Sequence, residues 1–212
     1  MQLMLISVRV NFSPHRLLKS PEAEEVCGRL TKVLETNPLL QTHLNLRGKI
    51  KGDSEVEQLS ALLKDPHCRA EKLTLTECNL MMESCKALAE VLSSHRFLTE
   101  LDLSKNGLQN SGVQQLSEGL KNQSCILKIL RLTECNLMME SCKALAEVLS
   151  SHRFLTELDL SENGLQNSGV QQLSEGLKNQ SCILEILRYS NISLYKQCRA
   201  ISSDINLKAI SC

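Results

Sequence analysis

Residues 75–131 and 132–188 are nearly one text written twice. Aligned 57 positions apart, they differ only at Lys105 against Glu162 and Lys128 against Glu185. A chain made by copying presents similar surfaces at intervals. Each unit buries its apolar side by stacking on its neighbours, so the array grows by length around a continuous core. Catalysis needs unlike groups converging on one point, which repeated surfaces supply poorly. One elongated, non-enzymatic array is therefore the first expectation for these 212 residues.

Inside each block lie two related halves of 28 and 29 residues. The clearer one runs Leu98-x-x-Leu101-x-Leu103-x-x-Asn106-x-Leu108 and continues through Val113, Leu116 and Leu120. Leu101 and Leu103 alternate with Asp102 and Ser104, the period of a strand, whereas Val113, Leu116 and Leu120 recur at helical spacing. A short strand followed by an amphipathic helix is predicted. Asn110, Ser111 and Gly112 sit where that helix can be capped and started, and small Gly119 suits close packing against a neighbouring helix. The other half substitutes cysteine: Leu73-x-Leu75-x-x-Cys78-x-Leu80, then Cys85, Leu88, Val91 and Leu92. At the strand exit, Cys78, Asn106, Cys135 and Asn163 are expected to face the turn backbone, where Asn satisfies buried peptide groups and a thiol fills space.

Composition narrows the partners. Lys plus Arg and Asp plus Glu both number 24, so no global field draws the chain to nucleic acid or an anionic membrane. Five aromatics, Phe12, Phe97, Phe154, Tyr189 and Tyr195, leave few platforms for stacking bases. Six of the ten cysteines, Cys78, Cys85, Cys125, Cys135, Cys142 and Cys182, are positions copied by the duplication, and none stands in Cys-x-x-Cys spacing. The expectation is reduced thiols in a cytoplasmic protein, without a metal site or cofactor. Met1 to Val8 is apolar but lacks the basic leader of a secretory signal, no stretch reaches membrane-span length, and the Asn-x-Ser triplets at Asn11, Asn122, Asn179 and Asn191 are read as chance matches. Phosphate-binding glycine loops, Gly-x-Ser-x-Gly and His-Glu-x-x-His are all absent. The copied pair His95 and His152 is expected to be polar surface, and Phe97 and Phe154 to be packing residues.

The Leu-x-x-Leu-x-Leu-x-x-Asn/Cys-x-Leu pattern, with alternating 28- and 29-residue units starting their strands near Leu73, Leu101, Leu130 and Leu158, resembles the ribonuclease-inhibitor-like leucine-rich repeats, and among them the repeat region of NOD-like receptors. The resemblance implies an α/β horseshoe, with parallel strands on the concave face, helices on the convex face, and a role in ligand sensing, autoinhibition or protein contact. It covers about residues 40–190, leaving 1–39 as an atypical or capping repeat and 191–212 as a divergent tail or atypical cap. Weaker units precede the copied block, with helices expected at Val26–Leu34 and Val56–Leu63 and a strand at Leu44–Leu46. Leu184–Arg188 starts a further strand, after which Tyr189 and Ile192 break the pattern, while Cys198, Ile201 and Ile205 form a helical stripe. NOD-like receptors carry a nucleotide-binding domain ahead of their repeats. No such motif occurs here, so a fragment or a stand-alone repeat protein is expected.

Positions between the strand leucines point into the concave face. One row reads Asn45, Thr74, Asp102, Arg131, Asp159 and Arg188, so acid and base alternate across its last four members. Parallel strands lie about 4.8 Å apart, and these four can pair sideways as a charge ladder. Alternatively, they contact a partner. A second row, Glu77, Lys105, Glu134 and Glu162, turns acidic at its later end, where a protein partner with a basic patch is favoured by complementarity. Asp102, Lys105, Arg131, Glu134, Asp159, Glu162 and Arg188 are thus the candidate protein-binding residues. A structural fragment that self-associates through uncapped ends is the other reading.

Overall fold

The computed structural model describes residues 18–189 and the backbone of a strand at 208–211. Each unit from His43 to Leu177 folds as strand, turn and helix. The order is α1 (Pro21–Leu34), a single 3-10 turn (Pro38–Leu40), β1 (His43–Asn45), α2 (Asp53–Leu63), β2 (Lys72–Thr74) and α3 (Met82–Ser94). It continues with β3 (Glu100–Asp102), α4 (Gln109–Leu120), β4 (Ile129–Arg131), α5 (Met139–Ser151), β5 (Glu157–Asp159), α6 (Gln166–Leu177), β6 (Ile186–Tyr189) and β7 (Lys208–Ser211). The strands form one parallel sheet in chain order, with a helix following each from β1 to β5 as parallel crossovers require.

Register follows the leucines. Leu44, Leu73, Leu101, Leu130, Leu158 and Leu187 are direct cross-strand neighbours, and all are buried. Behind them the helical leucines and valines complete a continuous apolar core. Each such side chain contributes on the order of 1.5–3 kcal/mol by leaving water.

The strand-exit asparagines tie adjacent units together. Asn106 Oδ1 accepts from the amides of Cys78 (3.0 Å) and Leu80 (3.1 Å) in the preceding unit, while its Nδ2 donates to the carbonyls of Leu75 (2.9 Å), Leu103 (2.7 Å) and Ser104 (3.2 Å). Asn163 repeats the pattern with Cys135, Leu137, Leu132, Leu160 and Ser161. Where cysteine takes the position the connection is thinner: the Cys78 thiol donates to Leu46 O (3.3 Å) and the Cys135 thiol to Leu103 O (3.3 Å). The expected orientation of these four side chains toward the turn backbone is what the structure contains.

Helix caps also pass between units. Asp53, the first residue of α2, accepts from Met81 N (2.8 Å) and from the backbone and hydroxyl of Ser84, so it caps α3. Asn110 does the same for the amide of Met138 ahead of α5 (2.8 Å). Asn110 therefore caps its neighbour and not its own helix α4, which has no side-chain cap. Helix α1 starts earlier than apolar spacing alone indicates. Ser20 Oγ accepts from Ala23 N (3.1 Å), Pro21 pre-sets the first turn, and Glu22 and Glu24 face the positive end of the helix dipole.

Gly119 lies against the neighbouring helix as expected. A Cβ there would fall 2.5 Å from both the Cα and the carbonyl oxygen of Ala89, and one at Gly176 would fall 2.5 Å from Ala146 O. Past the point where the leucine pattern breaks, the sheet continues: β7 pairs in parallel with β6, Ile186 opposite Lys208 and Tyr189 opposite Ser211. The stripe formed by Cys198, Ile201 and Ile205 lies outside the described residues.

Two stability predictions follow from these contacts. Asn106→Ala strands the two buried amides of Cys78 and Leu80 and takes a donor from the Leu75 carbonyl, so denaturant titration is expected to show a loss of about 3–5 kcal/mol, against about 1–2 kcal/mol for Cys78→Ala. A similar loss in both variants would deny Asn its special place. Gly119→Ala drives a methyl into backbone and is expected to destabilise by more than about 2 kcal/mol, whereas Gly28→Ala, with open space in α1, gains about 0.5–1 kcal/mol.

Candidate protein-binding face

The first row is registered as the spacing implies. Asn45 stands beside Thr74, and Asp102, Arg131, Asp159 and Arg188 follow in order on β3 to β6. Its ion pairs are different from those expected. Arg131 reaches Glu157 (3.3 Å) and Glu100 (3.9 Å), Arg188 pairs with Glu157, and Lys72 pairs with Glu100 (2.7 Å). The charge ladder is thus Lys72–Glu100–Arg131–Glu157–Arg188, and its acids stand two residues before the aspartates.

Side-chain length explains the exchange. Asp102 Oδ1 accepts from Ser104 N and Asp159 Oδ1 from Ser161 N, each at 3.0 Å, the local turn bond that a short carboxylate makes readily. The longer glutamates instead meet arginines on the diagonal, where Ile129 and Ile186 directly beside them offer no charge. Asp102 and Asp159 are left without an ion pair among the described residues. Glu157 is the most enclosed member of the ladder, its side chain only 13% exposed. Strand periodicity puts Glu100 and Glu157, two residues before Asp102 and Asp159, on the same face, but they belong to neither of the two rows from which the candidates were taken.

The second row lies on the turns leaving the strands. Glu77, Lys105, Glu134 and Glu162 all have left-handed backbone, with φ between 53° and 59°, and Gly48 (φ 61°) occupies the same place after β1. Lys105 sits between Glu77 (3.5 Å) and Glu134 (4.0 Å). Glu77 is further held by a two-pronged bond from Arg47 (2.7 and 3.2 Å), which keeps its carboxyl below the usual carboxylate range. Glu134 has a lysine neighbour on one side and, because the copies differ, Glu162 on the other. Arg47, which precedes the copied block, was not among the candidates.

The other singled-out residues are placed less as expected. His95 and His152 are buried, not surface residues. The Nδ1 of His95 accepts from Phe97 N (3.2 Å) and Leu98 N (3.1 Å), and that of His152 from Phe154 N and Leu155 N (both 3.1 Å), so each ring caps the turn into the next strand. Burial holds both imidazoles down to about 4. Phe154 is 41% exposed, whereas Phe97 is half-buried beneath the Arg69 guanidinium, 4.6 Å from its ring centre. The difference traces to Ile126, which stands where Arg69 would repeat. Burial pushes the thiols of Cys85, Cys135 and Cys142 up to about 12, so they pack as small apolar groups.

Among known proteins, a family model described as Leucine Rich repeat matches residues 94–117 and 151–174, the same segment in each copy. The chain is a leucine-rich-repeat solenoid. Its repeats are similar to those of NACHT, LRR and PYD domains-containing protein 3 of Macaca mulatta, 39% identical over 191 residues, which is 90% of this chain and 18% of that protein. They are also similar to ribonuclease inhibitor of Mus musculus, 38% identical over 193 residues, 89% of this chain and 42% of that protein. The solenoid thus spans less than half the length of these relatives. A solved structure of Leiomodin-1 Actin-Binding Site 2 superimposes with a TM-score of 0.55 over 85% of this chain and 95% of that one; at 16% identity the likeness is one of fold. No described helix is long and apolar enough to cross a membrane.

The buried histidines predict a pH dependence. Unfolded, each titrates near 6.5; folded, near 4. Between those values the unfolded chain binds protons that the folded chain refuses, so stability falls as pH drops from 6.5 towards 4 and is unaffected by these groups above it. The loss reaches roughly 3 kcal/mol per histidine. Denaturation midpoints measured across this range check the slope, which the His95→Asn/His152→Asn variant is expected to flatten.

Proposed function

We propose that this solenoid acts by binding a protein on its concave face, as the ligand-sensing or regulatory repeat region of a NOD-like receptor or a truncated relative. The observation that carries this reading is the pairing of Arg131 and Arg188 with Glu100 and Glu157 instead of the row aspartates. The ladder takes up both glutamates with three bases, Lys72, Arg131 and Arg188. Asp102 and Asp159 remain outside it and lie on the same face as the acidic end of the turn row, Glu134 and Glu162. A strip of carboxylates on a rigid sheet favours a basic patch on the partner, chiefly through encounter rate and selectivity. Lys105, Arg131 and Arg188 border that strip and set its register. Buried, uncharged thiols suit a reducing cytoplasmic setting, and the module works by contact without cofactor or catalysis.

A second reading, self-association, is favoured by the N-terminal edge, where β1 ends the sheet among the described residues and Leu40 (79%) and Val33 (47%) are exposed. Quantitative pull-down comparing the wild type, Glu134→Lys/Glu162→Lys and the convex control Lys143→Glu separates the two. A protein retained by the control but reduced at least tenfold by the double reversal is expected. Equal recovery by all three removes the acidic strip, and in parallel light scattering a strictly monomeric chain removes self-association.

A further inference from the structure

At the edge of the sheet where strands begin, opposite the turn row, the loops after α2 and α3 border a half-open cavity of about 470 Å³. Lys19, Lys64, Arg69 and Arg96 are exposed around it, and Cys68 and His95 are buried within its lining. Lys64 is engaged with Glu90 (3.0 Å). Lys19, Arg69 and Arg96 have no ion-pair partner among the described residues. The one carboxylate in the lining, Asp65, is already occupied: it accepts from Lys19 N (2.7 Å), His67 N (2.9 Å) and His67 Nδ1 (2.8 Å), and its side chain is only 1% exposed.

The copied unit supplies an internal comparison. Lys121, Cys125, His152, Arg153 and Phe154 repeat Lys64, Cys68, His95, Arg96 and Phe97, but Ile126 and Asn122 stand in place of Arg69 and Asp65. There, His152 Nε2 meets Cys125 Sγ at 3.4 Å. His95 Nε2 is buried with no partner among the described residues, although Nδ1, accepting two amides, leaves the ring proton on Nε2. The cationic unit is therefore also the one with an unused donor in its cavity lining.

We infer that this cavity binds a compact anion carrying two or more phosphoryl groups, held by Lys19, Arg69 and Arg96. Its volume is that of a small-molecule site, too small for a folded partner. Two guanidinium forks match phosphoryl oxygens in charge and geometry, and Arg69 is already ordered over Phe97. The same chemistry is carried by a soluble polyphosphate and by a polyphosphorylated lipid headgroup.

Titration calorimetry with tripolyphosphate tests the site. Saturable one-site binding is expected, weakened at least tenfold by Arg69→Ile, a residue this fold already accepts at position 126, and unchanged by Arg153→Ala in the copied unit. Absence of saturable heat, equal affinity of Arg69→Ile, or equal weakening by Arg153→Ala overturns the assignment. Co-sedimentation with phosphatidylcholine vesicles carrying a doubly phosphorylated inositol lipid identifies the source. Retention lost on Arg69→Ile supports the pocket with a headgroup ligand, no retention beside intact tripolyphosphate binding supports it with a soluble one, and retention indifferent to Arg69→Ile counts against it.

Discussion

The strand-exit turn is the constraint on which this solenoid depends. Three-residue strands carry too few ladder bonds to hold neighbouring units in register by themselves, and the chain must then turn sharply while its peptide groups are buried. Asn106 and Asn163 resolve both difficulties, because one planar amide accepts two backbone protons and donates to carbonyls in its own unit and the one before. The same turn forces left-handed backbone on Glu77, Lys105, Glu134 and Glu162, a conformation costing about 1–2 kcal/mol for a non-glycine residue. Charged side chains are thereby displayed in a line, one per unit, by the element that also sets the stacking.

Charge on the concave face divides into two populations. Lys72, Glu100, Arg131, Glu157 and Arg188 are consumed in a ladder running across five strands, partly screened from water, in which three bases hold two acids. Asp102, Asp159 and the later glutamates of the turn row stand beside it. Duplication reproduced both populations, and Lys105 against Glu162 is the position at which the copies diverge on this face. The second difference, Lys128 against Glu185, lies just before β4 and β6, where the structure gives it no distinct contact.

Much of this was legible in the sequence because it is periodic. Leucine spacing gave the strands, their register and the alternation of Asn with Cys, and small Gly119 marked the tight helix contact. What stayed hidden depends on neighbours far away in sequence and on side-chain reach. Asp and Glu are equivalent in a charge pattern, yet the shorter one turns to its own backbone and the longer one finds the arginine. His95 and His152 looked like surface residues beside Arg96 and Arg153, but their rings point inward to cap the next turn. Asn110 sits at a helix start and serves the helix beside it. Near-identity of the copies removed the variation that would have distinguished packing residues from binding residues.

Native-state hydrogen exchange across the turns tests the central claim most directly. If the asparagines hold the units in register, the amides of Cys78 and Leu80 in the wild type exchange as slowly as those of the β2 and β3 core. In Asn106→Ala they open selectively, while Cys135 and Leu137, bonded to Asn163, remain protected. Fast exchange at Cys78 and Leu80 in the wild type, or no selective opening in the variant, would contradict the account.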